Sequence, residues 1–140
     1  MTTMNESKHI PYLLQIASDI VEPVRCFRLA AAVVYKNQVM GLGINRWKSD
    51  PMQAKYSRHE EAIFLHAEIA AIKNSLRVLE VEDLSKCRLF VVRVKRNHLT
   101  NTFEPASSKP CSGCYRCLKE FGIKKLTYFN EEKVLTNVYD

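Results

Sequence analysis

Leu13, Ile16, Ala17 and Ile20 recur at helical spacing and predict an amphipathic helix over residues 12–21, which Pro23 ends. The run Phe27 to Tyr35 is apolar with little alternation, the pattern of a strand covered on both faces. Lys36-Asn37-Gln38 reads as a tight turn into a second strand, Val39 to Ile44. The two strands close an antiparallel hairpin in which Gln stands where a two-residue turn favours Gly. Residues 46–65 are polar and basic, with Pro51 near their start, and predict a loop leading into a helix over residues 66–79. On that helix Ile69, Ile72, Leu76 and Leu79 form one apolar stripe, while Lys73, Asn74 and Arg77 face away.

Further on, the β-forming run Arg88 to Val94 predicts a strand, and residues 97–109, which include Pro105, a long loop. A second helix is expected from Ser112 to Phe121, ended by Gly122, then a strand from Lys124 to Phe129. Asn130-Glu131-Glu132 is turn-like and precedes a weak last strand, Lys133 to Val138. That connection is too short for a parallel crossover, which takes about a dozen residues, so the last strand is expected to run antiparallel to its neighbour. The alternative for residues 131–140 is a frayed tail. This order of elements suits a mixed sheet flanked by helices.

The length of 140 residues suffices for one domain with a substantial core, and a single domain over 1–140 is the expectation. Apolar residues at 46% and charged residues at 26% are ordinary for a globular chain. No apolar run could span a bilayer, and Met1 to His9 lacks the layout of a signal peptide, so the expected setting is cytoplasmic with no membrane partner. The five cysteines, Cys26, Cys87, Cys111, Cys114 and Cys117, are an odd number with three crowded together, which fits reduced thiols and a metal better than disulfides. A net charge of +6 is compatible with an anionic substrate and equally with a solvated basic face.

His66-Ala67-Glu68 and Pro110-Cys111-Ser112-Gly113-Cys114 narrow the chemistry. One imidazole and two thiolates fill three corners of a tetrahedral zinc and leave the fourth open, the arrangement of a catalytic site. A glutamate beside the histidine can take a proton from activated water and hand it to a substrate. Successive helix residues turn by about 100°, so His66 and Glu68 cannot both reach a metal on the helix flank, and the metal must lie off the helix N-terminal end. Cys111 and Cys114 likewise meet the start of the second helix, whose partial positive charge favours thiolates. The competing readings are a structural zinc completed by Cys117, Cys87 or His98, and a partial iron–sulfur spacing in Cys111, Cys114 and Cys117 that lacks a fourth cysteine downstream. Cys117 otherwise reads as a small buried apolar residue, and His59 and His98 as surface residues.

The pattern H-x-E with P-C-x-x-C is that of zinc nucleobase deaminases, and on it the chain resembles the cytidine deaminase superfamily. The resemblance implies a three-layer α/β/α fold with a mixed five-stranded sheet. It implies Zn2+ held by His66, Cys111 and Cys114, with Glu68 as the catalytic proton shuttle. It also implies that Asn45, at the end of Gly41-Leu42-Gly43-Ile44-Asn45, binds the substrate's sugar, that the backbone N–H of Ala67 meets the base carbonyl, and that the chain forms a homo-oligomer. The implied reaction is hydrolytic deamination of a nucleobase, with cytosine in a pyrimidine nucleotide preferred as substrate.

Two sets of residues bear on that substrate. Lys48, Lys55, Arg58 and His59, in a loop whose length resembles that of deoxycytidylate deaminases, could hold a phosphate. Trp47, Tyr56 and Tyr115, with the basic strand end Arg93-Val94-Lys95-Arg96, would instead suit single-stranded nucleic acid. A non-catalytic binding subunit is the third reading, and the intact Glu68 argues against it.

Overall fold

The computed structural model describes residues 8–21, 23, 27–57 and 64–139. Its elements are α1 (His9–Ser18), β1 (Arg28–Tyr35), β2 (Gln38–Ile44), α2 (Pro51–Ser57), α3 (Ala67–Ser75), a 3-10 turn (Val81–Lys86), β3 (Arg88–Asn97), β4 (Thr102–Ala106), α4 (Ser112–Glu120), β5 (Lys125–Phe129) and β6 (Leu135–Tyr139). The strands form one mixed sheet in the order β2-β1-β3-β5-β6, with β4 on β3 as a sixth member. Only β3 and β5 pair in parallel.

Alternation along the central strands sorts side chains into two cores. Ala30 and Ala32 of β1 and Phe90 and Val92 of β3 meet Ile10, Leu13 and Ala17 of α1. Ala31 and Val33, with Leu89 and Val91, meet Ile69 and Ile72 of α3 and Cys117 and Leu118 of α4. Helices thus cover both faces, the expected three layers, which is why β1 and β3 read as continuous apolar runs.

Several local signals act as expected. Gly122, at φ 77°, closes α4. Ile123 N–H donates to Leu118 O and Gly122 N–H to Lys119 O, the paired bonds that a left-handed residue after a helix allows. β6 runs antiparallel to β5, so residues 135–139 are a paired strand and not a tail. The hairpin turn is Lys36-Asn37, both at positive φ, so Gln38 is the first residue of β2 and the expected Gly position falls on Asn37. No helix among the described residues is long and apolar enough to cross a membrane.

Four expectations need correction. The first helix starts at His9, earlier than expected, because Pro11 sits within its first turn, where no intrahelical N–H bond is lost. Residues 46–65 are not all loop: Asp50 Oδ1 accepts the Met52 N–H at 2.9 Å, and Pro51 opens α2. Residues 97–109 contain β4, which pairs with β3 from Thr102 to Ala106 and tolerates Pro105 because it lies at an edge. The α3 helix ends at Ser75, and its polar side is not free, since Asn74 Nδ2 donates to the Leu42 carbonyl of edge strand β2 at 2.7 Å.

The sheet also contains a fork. β5 pairs with β3 over Arg88 to Val91, and β4 pairs with the same edge from Arg93 onward. Ser108 ties the chain into the gap: its hydroxyl donates to Val91 O at 2.8 Å and accepts the Phe129 N–H at 2.9 Å, while its own N–H donates to Phe129 O. The segment leading to Cys111 is anchored by these bonds.

Candidate active site

His66 precedes the first residue of α3 in an extended conformation, and Cys111 stands in the same position before α4. Two glycines bring α3 onto the sheet. A Cβ at Gly43 would collide with Ala67 O, lie 2.5 Å from Ala71 N and 2.7 Å from Ala70 Cβ, and one at Gly41 would collide with Ala71 O. Gly113 lets the start of α4 approach the end of α2, where a Cβ would lie 2.9 Å from Ser57 Cα. The start of α4 is held against the end of α2 by Arg116, whose guanidinium donates to the carbonyls of Tyr56 and Ser57. Buried Gln53 of α2 accepts the His66 backbone N–H at 2.9 Å through Oε1 and donates to Ser57 Oγ at 2.6 Å. Neither Gln53 nor the close-approach glycines stand out in the sequence, although Asp50-Pro51 is a helix-start signal that could have revealed α2.

The three donors converge as a metal requires. His66 Nδ1 lies 3.6 Å from Cys111 Sγ and 3.5 Å from Cys114 Sγ. Zinc bond lengths to N and S at a tetrahedral angle put these donors roughly 3.6 Å apart. No fourth His, Cys, Asp or Glu joins them among the described residues, the pattern of a site with an open position. Cys117 and Cys87 are instead fully buried, and burial raises their thiols to about 12 and about 11.

Without a metal the three donors share protons. Cys111 is pulled down to about 3, first by its hydrogen bond with Cys114 and further by His66. Cys114 is raised by its hydrogen bond with Cys111 and by burial, and His66 is raised by its hydrogen bond with Cys111, which outweighs burial. An imidazole and two thiol groups that share hydrogen bonds in this way are a donor set that a divalent cation would complete by displacing protons. Glu68, buried on the first turn of α3, is held above the usual carboxylate range by desolvation, against the opposing pull of His66.

A cavity of about 380 Å³ opens beside these donors. His66, Ala67, Glu68 and Cys111 form one end, Leu29, Asn45 and Leu65 the wall, and Phe27, Arg93 and Lys109 further lining. This size falls in the range of small-molecule sites.

Residues 4–130 match the family described as the cytidine and deoxycytidylate deaminase zinc-binding region. The chain belongs to this family. Membership supports an enzyme that deaminates cytosine-type substrates, and the His66, Cys111 and Cys114 cluster fits the zinc of the family's description. Among solved structures, cytidine deaminase from Burkholderia pseudomallei is similar at 17% identity and TM-score 0.58, over 92% of this chain and 91% of that one. A dCMP deaminase from the cyanophage S-TIM5, in complex with dCMP and dUMP, is similar at 18% identity and TM-score 0.55, over 90% of this chain and 82% of that one. At such identities the likeness shows the fold. No curated protein sequence matches the chain.

The remaining expected site residues divide. Asn45 lines the cavity while bridging the strands, its Oδ1 accepting the Leu29 N–H and its Nδ2 donating to Phe27 O, which leaves one amide hydrogen without a partner among the described residues. Ala67 lies at the first position of α3, where its N–H has no intrahelical acceptor. The proposed phosphate lysines are elsewhere: Lys48 borders a separate cavity and Lys55 pairs with Glu120 at 3.4 Å, while Arg58 and His59 lie outside the described residues. Of the aromatic residues considered for a nucleic-acid groove, Tyr56 is buried and Tyr115 packs on the core, which leaves Trp47 exposed, edge-on to Phe64. Arg93, read from the sequence as part of a basic strand end suited to single-stranded nucleic acid, lines the cavity beside the donors.

Proposed function

We propose that this protein is a zinc-dependent hydrolase that converts cytosine to uracil in a pyrimidine nucleotide, with release of ammonia. The observation that carries the reading is the opening of one cavity onto both a three-donor metal cluster and the buried carboxyl of Glu68. Zinc, held by His66, Cys111 and Cys114, would supply the Lewis acidity that makes water nucleophilic near neutral pH.

This chain's own groups do the rest. A Glu68 carboxylate oxygen takes a proton from water and delivers it to N3 of the base, which leaves C4 open to addition of the hydroxyl group. Glu68 then moves the second proton to the amino nitrogen. The C4–N bond breaks, ammonia leaves, and the oxygen remains on C4 as the uracil carbonyl, so one water is consumed for one ammonia released. The Ala67 N–H is suited to the base carbonyl, the free Asn45 amide hydrogen to the sugar, and Leu29 and Leu65 to keeping bulk water from the ring. The fold's neighbour solved with dCMP and dUMP supports a nucleotide substrate.

The test is a substrate panel with zinc-loaded protein: dCMP, CMP, dCTP, deoxycytidine, single-stranded DNA and tRNA, read by ammonia release and product mass. Turnover of a free nucleotide is expected. Activity confined to the polynucleotides would replace the nucleotide reading, and no activity on any of them would remove the deaminase reading of this chain.

A further inference from the structure

Arg93 continues a row that is otherwise apolar. Leu89 and Val91 of β3 point into the core beneath α3 and α4, and Arg93 is the next residue on that face. Its pairing partner is Leu29, which also lines the cavity, and two residues before Leu29 comes Phe27. The core ends here and the cavity begins, at the fork where β4 replaces β5 along β3.

The guanidinium lies against an aromatic ring, and one of its donors is buried without a partner among the described residues. Its carbon lies 4.4 Å from the centre of the Phe27 ring, a cation–π contact. Nε is buried yet has no hydrogen-bond partner among the described residues, and Arg93 makes no ion pair among them. A buried donor of a charged group without an acceptor among the described residues is costly, and a ligand oxygen in the cavity would satisfy it. Among the described residues that line the cavity the one carboxylate is Glu68, which belongs to the proton shuttle. Lys109, exposed at the rim, adds a second positive charge.

We propose that Arg93 is the specificity residue for a phosphate ester on the substrate, its planar fork binding phosphate oxygens while the base lies at the metal end of the same cavity. The planar geometry of guanidinium matches phosphate oxygens two at a time, which lysine cannot reproduce. The inference rests on the nucleotide reading above and adds which residue distinguishes a nucleotide from a neutral nucleoside.

The experiment compares zinc-loaded wild type, Arg93→Gln and Arg93→Lys on dCMP, on deoxycytidine and on a single-stranded oligonucleotide with one cytosine. Binding of dUMP and deoxyuridine is measured by calorimetry alongside. Arg93→Gln is expected to lower kcat/KM for dCMP by roughly ten- to a hundredfold and to leave deoxycytidine within about threefold, with Arg93→Lys in between. Equal losses on deoxycytidine and the phosphate-bearing substrates, or no loss on either dCMP or the oligonucleotide, overturn the proposal. If Arg93→Gln does not fold, a wild-type preference for dCMP over deoxycytidine below about threefold overturns it as well. Selective loss on the oligonucleotide alone would keep Arg93 as the phosphate reader and move the source to a phosphodiester. If no cytosine compound is turned over, the deaminase reading fails by itself. The role of Arg93 then stands on dUMP binding, which must weaken at least tenfold in Arg93→Gln with deoxyuridine unchanged, and falls if dUMP affinity stays the same.

Discussion

The side-chain oxygen of Gln53 accepts the backbone N–H of His66 at 2.9 Å, joining the middle of α2 to the residue that begins the metal cluster. Gln53 is fully buried and is itself held by Ser57. Gln53→Leu keeps the volume and removes the acceptor, leaving the His66 N–H unsatisfied at a cost of about 1–3 kcal/mol. Groups that orient metal ligands affect metal affinity by roughly ten- to a hundredfold, and a loss at the lower end of that range is expected here. Zinc competition against a chromophoric chelator checks it, and unchanged affinity would mean that α2 does not position His66.

Gly43 and Gly122 predict opposite outcomes for the same substitution. At Gly43 a methyl group meets the backbone of α3, which cannot yield without moving the cluster, so Gly43→Ala should cost roughly 2–3 kcal/mol and most of the zinc affinity. At Gly122 nothing lies within 4 Å of an added Cβ, but φ is +77°, so Gly122→Ala should cost about 1–2 kcal/mol and leave zinc binding intact. Chemical denaturation with zinc titration separates the two.

Asp50 caps α2 and reaches Lys73 of α3 at 2.6 Å. Burial tends to raise its carboxyl, but the Lys73 contact and the backbone N–H groups of Met52 and Gln53 outweigh it, and the net shift is below 3.8. A carboxyl with a depressed folded-state pKa stabilises the protein above its unfolded value and loses that contribution as pH falls through the folded one. Wild type should therefore exceed Asp50→Asn in stability by a constant margin above about pH 5, shrinking below about pH 4. A margin independent of pH in denaturant melts would contradict the charge-based account.

Thiol labelling reads the cluster directly. Cys111 is exposed and held as thiolate, whereas Cys87 and Cys117 are buried and protonated. Metal-free protein treated with iodoacetamide at pH 7.5 should carry label at Cys111 and none at Cys87 or Cys117 by peptide mapping, and zinc should protect Cys111. Fast labelling of Cys117 would place it in the site and favour a structural metal.

What could be read from the sequence depended on whether the signal was local. Gly122 ended α4 as expected because a helix stop lies within a few residues, and the argument that the metal lies off two helix ends needed only the 100° turn per residue. The metal cluster was legible because three ligands and one carboxylate at this spacing are a rare coincidence. β4 was not, since Pro105 and its polar neighbours look like loop until β3 supplies the pairing edge. Gln53 carried no signal because its value lies in a backbone group thirteen residues away. Arg93 was legible only as one of three basic residues in the strand end Arg93-Val94-Lys95-Arg96, because it takes the position of β3 over the ends of the helices to set it on the face of Leu89 and Val91.

The central claim, that Glu68 moves protons for a metal-dependent deamination, is tested most directly by Glu68→Gln. The variant should fold, bind one zinc per chain by elemental analysis, and lose ammonia release from dCMP by a factor of about 100 to 10,000. Wild-type turnover in a zinc-loaded Glu68→Gln would contradict the account.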